Sequence, residues 1–308
     1  MSRLHIAVGE YLALRRSLGF VLTDYDRHLH EFVSFVELHG AVITTDLAIR
    51  WAMRQDRSQK WHANLLTEIR GFARYWSATD PRTQVPPGRL IIGAHGRRRP
   101  FLYTDEDVRR LMMATSTMRS LSRLWPLTLK TIIGLLAATG MRLGEVLALN
   151  EDDIDWEDQI LIVRRAKFGK SRLVPVHAST IAALAWYVRQ RNAAGSPTVA
   201  LPLFLSSKGM RLRKSTVYIS FRILLGMVGL RNKTAHHGPH LHDFRHRFAV
   251  NTLVRAYRAG LDGERRMFVL STYLGHVDAE STYWYLSAAP ELMGEARKRL
   301  ERSIGRLP

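Results

Sequence analysis

The most unusual feature of this sequence is a long segment with basic residues and no acidic ones. Residues 159–242 hold 14 Lys and Arg side chains and not one Asp or Glu. The whole chain carries 46 Lys and Arg against 27 Asp and Glu, a formal charge of +19. A short run of this kind is usually a solvated basic face. Over this length we expect a surface that binds nucleic acid, because neutralising phosphates requires a one-sided positive field.

Length and composition exclude several other classes of protein. The chain has 308 residues, enough for one large domain or two ordinary ones, and its hydrophobic content of 46% is globular. No apolar run approaches the roughly 18 residues of a membrane span, and the N-terminus lacks the apolar region of a signal peptide. We therefore expect a soluble cytoplasmic protein, associated with the nucleoid if the cell is prokaryotic. The absence of Cys excludes disulfides, thiolate nucleophiles, iron–sulfur clusters and Cys-ligated zinc.

Hydrophobic periodicity divides the chain into two parts. The first predicts a small helical bundle over residues 1–79, with helices near 6–18 and 24–38 and two more after them. Residues 80–103 are rich in Pro, Gly and Arg, a composition typical of a linker. Residues 104–308 form the second part.

The second part is expected to be mainly α-helical with one small β-hairpin. It opens with a helix start close to a capping box at Thr104, and a helix follows over about 125–138. Residues 152–155 predict a turn. The segments 159–165 and 171–176 then predict two antiparallel strands of a hairpin. The predicted fold class is mainly α with a small β hairpin or sheet.

Residues that can carry chemistry occur at five places in the second part. They are Arg142 with Glu145 after a Gly turn, Lys167 and Lys170 in the hairpin, His242 with Arg245, His276 in a Leu-Gly-His sequence, and Tyr283 with Tyr285. Glu145 follows Arg142 by three residues, and Arg245 follows His242 by three, so each pair shares one helical face. Each place alone also fits a structural role, such as a capping Arg–Glu pair or an exposed lysine.

Taken in this order, the five places resemble the motifs of the tyrosine recombinase (phage integrase-like) family. The spacings agree with the family, including that of Tyr285, nine residues after His276. The resemblance covers about 104–290 and implies that 104–308 is a catalytic domain with a C-terminal helix. It also implies that 1–79 is the family's helical core-binding domain. The ending Ser-Thr-Tyr-Trp-Tyr-Leu resembles integrases carried by transposons.

The resemblance implies a site-specific recombinase that cleaves and rejoins DNA strands for integration, excision or resolution. The intermediate is a covalent 3′-phosphotyrosyl link. The implied site comprises Arg142 and Arg245 as phosphate clamps, Tyr285 as nucleophile, Lys167 as general acid, His242 and His276 as proton carriers or phosphate donors, and Glu145 in support. Family position favours Tyr285 over Tyr283 and Lys167 over Lys170. Guanidinium groups suit the clamps because they offer paired donors and stay charged.

The resemblance also implies partners. These are double-stranded DNA with specific target sites, further copies of the chain in a homotetramer on DNA, and possible accessory proteins, with no membrane involved. No cofactor and no metal are expected, because the phosphotyrosyl link retains the bond energy that religation uses. Residues 290–304 predict an amphipathic helix that docks into a neighbouring protomer. The alternative is that this helix packs on its own domain.

Three other functions remain open from the residues. A type IB topoisomerase-like relaxing enzyme shares the chemistry but acts as a monomer without a defined site. A non-catalytic DNA-binding accessory protein needs only the basic surface. The spacing of His242 and His246 suits zinc ligation on a helix, so a metal-dependent hydrolase or nuclease is the third alternative.

Overall fold

The computed structural model describes residues 2–20, 22–91, 100–120, 122–164, 171–194, 202–231 and 238–275, together with 293–295, 297–298 and 301. The chain separates into two compact units, residues 1–98 and residues 99–308. None of the helices in the described ranges is both long enough and apolar enough to cross a membrane.

The first unit is a bundle of helices. They are α1 (Arg3–Ser17), α2 (Thr23–Glu37), α3 (Thr45–Met53) and α4 (Gln59–Trp76). Side chains cap the third and fourth helices, because Thr44 accepts the N–H of Leu47 and Ser58 accepts that of Trp61. The helices bury one apolar core between them, and Trp51 is among its fully buried side chains.

Part of the segment predicted to be a linker packs on this bundle. The N–H of Gln84 donates to the carbonyl of Ile43 at 2.9 Å. The Arg70 guanidinium on α4 donates to the carbonyls of Pro86 and Pro87 at 2.8 and 2.9 Å. Proline carbonyls remain free to accept these bonds although proline has no N–H of its own. Residues 80–91 therefore continue the first unit along its surface.

The second unit combines helices with one small antiparallel sheet. Its helices are α5 (Asp105–Ala114), α6 (Leu124–Thr139), α7 (Leu143–Ala148), α8 (Ala178–Ala193), α9 (Lys214–Met227), α10 (Asp243–Arg258) and α11 (Gly263–Leu274). The strands are β1 (Ile154–Asp155), β2 (Ile160–Val163) and β3 (Arg172–Pro175), in the order β1-β2-β3. The predicted fold class, mainly α with a small sheet, is confirmed.

Helix α6 is the centre of the second unit. Leucine and isoleucine side chains are buried on most of its sides, as expected of a helix that is apolar all round. It packs against α5, α8 and α10. Helix α6 therefore fixes the positions of α5, α8 and α10 relative to one another.

The sheet corrects one detail of the predicted hairpin. Strands β2 and β3 pair as predicted, with Val163 opposite Arg172. Residues 152–155 are not a simple turn, because Glu151–Asp153 forms a 3-10 helix and Ile154–Asp155 pairs with β2 as an added strand. Ile154 is buried against the core, so its burial overrides the turn tendency of the aspartates around it.

The predicted C-terminal helix is only partly within the described residues. Residues 293–295, 297–298 and 301 are helical. Glu295 accepts a hydrogen bond from Arg258, at the end of α10, at 3.3 Å. The apolar positions predicted to dock, Leu292, Ala296, Leu300 and Ile304, lie outside the described residues.

Candidate active site

The turn between α6 and α7 places the first arginine of the site. Gly140 ends α6 with a left-handed φ of +62°, and a Cβ atom there would lie 2.7 Å from the Phe248 ring. Two residues later, Arg142 caps α7. Its N–H donates to Glu145 Oε2 at 2.9 Å and its Nη1 donates to Glu145 Oε1 at 2.8 Å. The pair that the sequence spacing predicted is therefore formed, and it fixes Arg142 against the start of α7.

Arg245 lies in the first turn of α10, and only 1% of it is exposed. Its Nη1 donates to the carbonyl of Gly140 at 3.0 Å and its Nη2 to that of Leu274 at 2.7 Å. Each carbonyl lies at the C-terminal end of a helix, where the helix dipole is negative and carbonyls lack intrahelical donors. These helix ends compensate the buried charge and hold the guanidinium in one orientation.

The two arginines share the C-terminal end of α11. Arg142 Nη2 lies 3.5 Å from the carbonyl oxygen of Gly275. Arg245 donates to the carbonyl of the preceding residue, Leu274. Gly275 ends the helix with a φ of +68°. The fold therefore brings together two guanidinium groups that are far apart in the sequence.

Glu145 is the acidic centre of the cluster and is 8% exposed. Arg172, on β3, donates to both of its oxygens, with Nη1 3.1 Å from Oε1 and Nη2 2.8 Å from Oε2. Burial alone would raise the pKa of Glu145. Hydrogen bonds from Arg172 and Arg142, with the charge of Arg172, outweigh burial and lower the pKa to about 2. The carboxylate is thus charged at every physiological pH.

This shift predicts how acid changes stability. The folded-state pKa of Glu145 is about 2, below its ordinary value of 4.5. Its contribution to stability is therefore complete above about pH 4.5 and is lost as the pH falls toward 2. The shift corresponds to about 3 kcal/mol. Urea unfolding of the whole chain between pH 7 and pH 3 measures it.

The control for that measurement is Glu145→Gln, which cannot titrate. We expect the wild-type chain to lose more unfolding free energy than this variant between pH 5 and pH 3. Parallel pH curves for the two proteins would contradict the low pKa of Glu145.

His242 immediately precedes α10, and part of its surface is open to solvent. Desolvation by the surrounding protein atoms, followed by the positive charges of Arg245 and Arg142, lowers the pKa of His242 to about 4. The imidazole is therefore neutral at pH 7 in the DNA-free protein.

Arg172 is the residue of the cluster that the sequence reasoning missed. No signal in the sequence identifies it, because Leu173 and Val174 are both apolar and do not show which face of β3 is buried. In the structure Val174, on the same face as Arg172, is fully buried, while Leu173 is 58% exposed. Arg172 therefore faces inward, where a charged group requires a partner. That partner, Glu145, lies in a distant part of the sequence.

Several predicted site residues lie outside the described residues. They are Lys167 and its alternative Lys170, His276, and Tyr285 and its alternative Tyr283. Described elements adjoin the two lysines and His276 in the sequence. Strands β2 and β3 flank the two lysines, and α11 ends at Leu274, directly before Gly275 and His276.

The zinc alternative rests on His242 and His246. Their rings lie edge to face with centroids 4.9 Å apart. Among the residues that the structure describes, no group of three or more His, Cys, Asp or Glu side chains is arranged to hold a metal ion.

Most of the second unit matches a known protein family. The sequence model of the phage integrase family matches residues 102–291, more than half of the chain. The chain belongs to the phage integrase family. It is a tyrosine-type site-specific DNA recombinase, and the family resemblance seen in its motifs is confirmed.

Full-length relatives are similar over almost the whole chain. "Putative integrase/recombinase y4rB" of Sinorhizobium fredii is 47% identical over 98% of this chain and 98% of its own length. "Tyrosine recombinase XerD" of Rhizobium meliloti is 29% identical over 91% of this chain and 88% of its own length. Both units of the chain are therefore represented in relatives of this family.

Solved structures share the fold. The integrase of transposon Tn1549, in complex with transposon right-end DNA, has a TM-score of 0.68 at 18% identity over 96% of this chain and 98% of its own. The XerH site-specific recombinase bound to its difH substrate has a TM-score of 0.64 at 20% identity over 91% of this chain and 80% of its own. At these identities the likeness concerns the fold.

Proposed function

We propose that this recombinase clamps the scissile phosphate of duplex DNA between Arg142 and Arg245 and attacks it with Tyr285. The observation that supports this most strongly is the fixed placement of the two guanidinium groups at the ends of α6 and α11. Donors held in place before the reaction stabilise developing charge without a cost of reorganisation. Paired N–H groups also match the geometry of two nonbridging phosphate oxygens.

The balance of charge in the cluster favours an anion. Two guanidinium groups, those of Arg142 and Arg172, share the single carboxylate of Glu145, so this group of three side chains carries a net positive charge. Arg142 retains part of its surface in solvent, with 28% of its side chain exposed, while Glu145 is buried beneath it. Positive charge is thus presented toward solvent, where a phosphate can approach.

The chemical step follows from these assignments. The phenolic oxygen of Tyr285 forms a bond to phosphorus, and the bond from phosphorus to the 5′ oxygen of the next nucleotide breaks. The phenol passes its proton to solvent water as it attacks, and Lys167 delivers a separate proton to the departing 5′ oxygen. His242 and His276 hydrogen-bond the phosphate as charge develops on it. The reverse sequence, with a new 5′ hydroxyl as nucleophile, rejoins the strands.

Duplex DNA with defined target sites is the proposed substrate. Two observations support it, the acid-free basic segment 159–242 and the DNA complexes solved for the structurally similar Tn1549 integrase and XerH recombinase. The site of action is the cytoplasm, where such DNA is accessible. A homotetramer on two DNA sites, with residues 290–304 of each chain docked into a neighbour, completes the proposal. Accessory proteins are compatible with it.

The deciding experiment uses covalent trapping. Sequencing the junctions that the protein produces in cells identifies the target, and a nicked version of that target then traps the cleaved state. We expect a covalent protein–DNA adduct that forms in the presence of a chelator and requires the target sequence. An adduct on any duplex, with relaxation of plasmids by the monomer, would instead support the topoisomerase-like alternative. Binding without any adduct would support the non-catalytic alternative.

DNA binding should depend steeply on salt. If the basic surface neutralises about ten phosphates, log K falls with log salt at a slope near −9, because each contact releases condensed counterions. Fluorescence anisotropy across a salt series measures this slope. A slope shallower than about −3 would mean that the positive charge serves another partner.

A further inference from the structure

The side chain of Arg172 joins three elements of the active site. From β3, its two Nη atoms donate to Glu145 on α7, and its Nε donates to the carbonyl of Tyr273 on α11 at 2.9 Å. The side chain is 13% exposed. Each of the three guanidinium nitrogens of Arg172 thus donates to an acceptor of the protein, and these bonds link β3, α7 and α11.

We propose that Arg172 is a positioning residue that keeps Arg142 available to the scissile phosphate. The proposal rests on the function assigned above to Arg142. Its physical basis is the competition for one carboxylate. Glu145 attracts any nearby cation, and a carboxylate paired with Arg142 alone would cancel the charge that the phosphate needs. Because Arg172 also donates to both oxygens of Glu145, one carboxylate is shared between two guanidinium groups, and Arg142 keeps an excess of positive charge.

Arg172 also fixes the end of α11. Its Nε bond to the Tyr273 carbonyl is matched by a bond from the Tyr273 hydroxyl to the carbonyl of Pro175 on β3, at 3.3 Å. The adjoining Leu274 carbonyl is an acceptor for Arg245. Strand β3 and helix α11 are thus tied together beside the group that orients the second clamp.

The absence of a side chain at Gly275 leaves room for the guanidinium of Arg172. A Cβ atom on Gly275 would lie 3.2 Å from Arg172 Nη1 and 3.3 Å from its Cδ, and the backbone φ there is +68°. The guanidinium therefore lies directly against the turn that leads into His276. Lysine cannot replace this contact, because a single ammonium cannot bond two carboxylate oxygens and a carbonyl in one plane.

The test compares Arg172→Met and Arg172→Lys with wild type in single-turnover cleavage of a nicked target. Arg164→Met is the matched control, since Arg164 lies next to the same hairpin and pairs with Asp153 outside the cluster. Arg164→Met removes one positive charge, as Arg172→Met does. We expect both Arg172 variants to bind DNA as the control does and to cleave about 10²-fold more slowly, the scale of a misplaced reacting geometry.

A neutral substrate separates positioning from general damage. In a scissile methylphosphonate, a methyl group replaces one charged nonbridging oxygen. The rate of cleavage therefore depends less on the positive charge of Arg142. We expect the rate deficit of Arg172→Met to shrink to less than about tenfold on this substrate. A deficit of the same size on both substrates would overturn the proposal, because a merely destabilised protein loses both rates equally.

The remaining outcomes are also decisive. If Arg172→Met does not fold, Arg172→Lys carries the test, and a rate within twofold of wild type would overturn the proposal. An Arg172→Met rate equal to that of Arg164→Met would do the same. Failure of the wild-type protein to form any adduct would refute the proposed function instead, which keeps the two failures distinct.

Discussion

Replacing Tyr285 by phenylalanine is expected to abolish the covalent protein–DNA adduct and leave DNA binding unchanged. The substitution removes only the phenolic oxygen, which is the nucleophile of the proposed mechanism. The basic surface and the clamps are untouched by it. No other group in the proposed mechanism can take over the attack, so the expected loss is complete rather than partial.

The measurement is trapping on a nicked target followed by sizing on a denaturing gel, with anisotropy to follow binding. Tyr283→Phe is the matched control, since it removes the same atom two residues earlier in the sequence. We expect the control to form the adduct. An adduct of undiminished yield with Tyr285→Phe would contradict the assignment, and loss of the adduct with Tyr283→Phe alone would assign the nucleophile to Tyr283.

Local features of the site were predictable from the sequence. The three-residue spacing of Arg142 and Glu145 also fits a cap and the third residue of a helix, and the structure pairs them in this way at 2.8 Å. The hairpin was predictable because two short apolar segments flank a turn, and the register sets Val163 opposite Arg172. In both cases the interacting residues are close in sequence, so short-range periodicity contains the information.

Long-range contacts were not predictable in this way. The partner of Arg172 is Glu145, 27 residues away in another element. The acceptors of Arg245 are backbone carbonyls at the ends of α6 and α11, and a backbone carbonyl has no sequence signature. The family resemblance named Arg245 as important, but its burial and its two helix-end acceptors emerge only from the packing of three helices.

Tertiary packing also overrode composition outside the site. The Pro-rich segment after α4 looks like a linker, yet Arg70 holds the carbonyls of Pro86 and Pro87 against the bundle. Similarly, Ile154 joins the sheet although aspartates surround it. Composition describes what a segment prefers alone, whereas these segments find partners in the rest of the fold.

Replacing Lys167 by alanine is expected to slow strand cleavage by about 10²–10⁴-fold, the usual contribution of a general acid. The departing 5′ oxygen is a poor leaving group unless it is protonated as the bond breaks. A substrate whose 5′-bridging oxygen is replaced by sulfur avoids this need, because a thiolate leaves without a proton. We therefore expect the sulfur substrate to restore cleavage by Lys167→Ala in single-turnover assays on the nicked target.

The control is Lys170→Ala, because both lysines lie in the connection between β2 and β3 and carry the same charge. Loss of a DNA-binding charge slows the oxygen and sulfur substrates alike, whereas loss of the acid slows only the oxygen substrate. Selective rescue of Lys167→Ala, with Lys170→Ala active on both substrates, identifies Lys167 as the acid. Selective rescue of Lys170→Ala instead would transfer the role to that residue. Equal slowing of both substrates by Lys167→Ala would leave it as a DNA contact and require another proton donor near the clamp of Arg142 and Arg245.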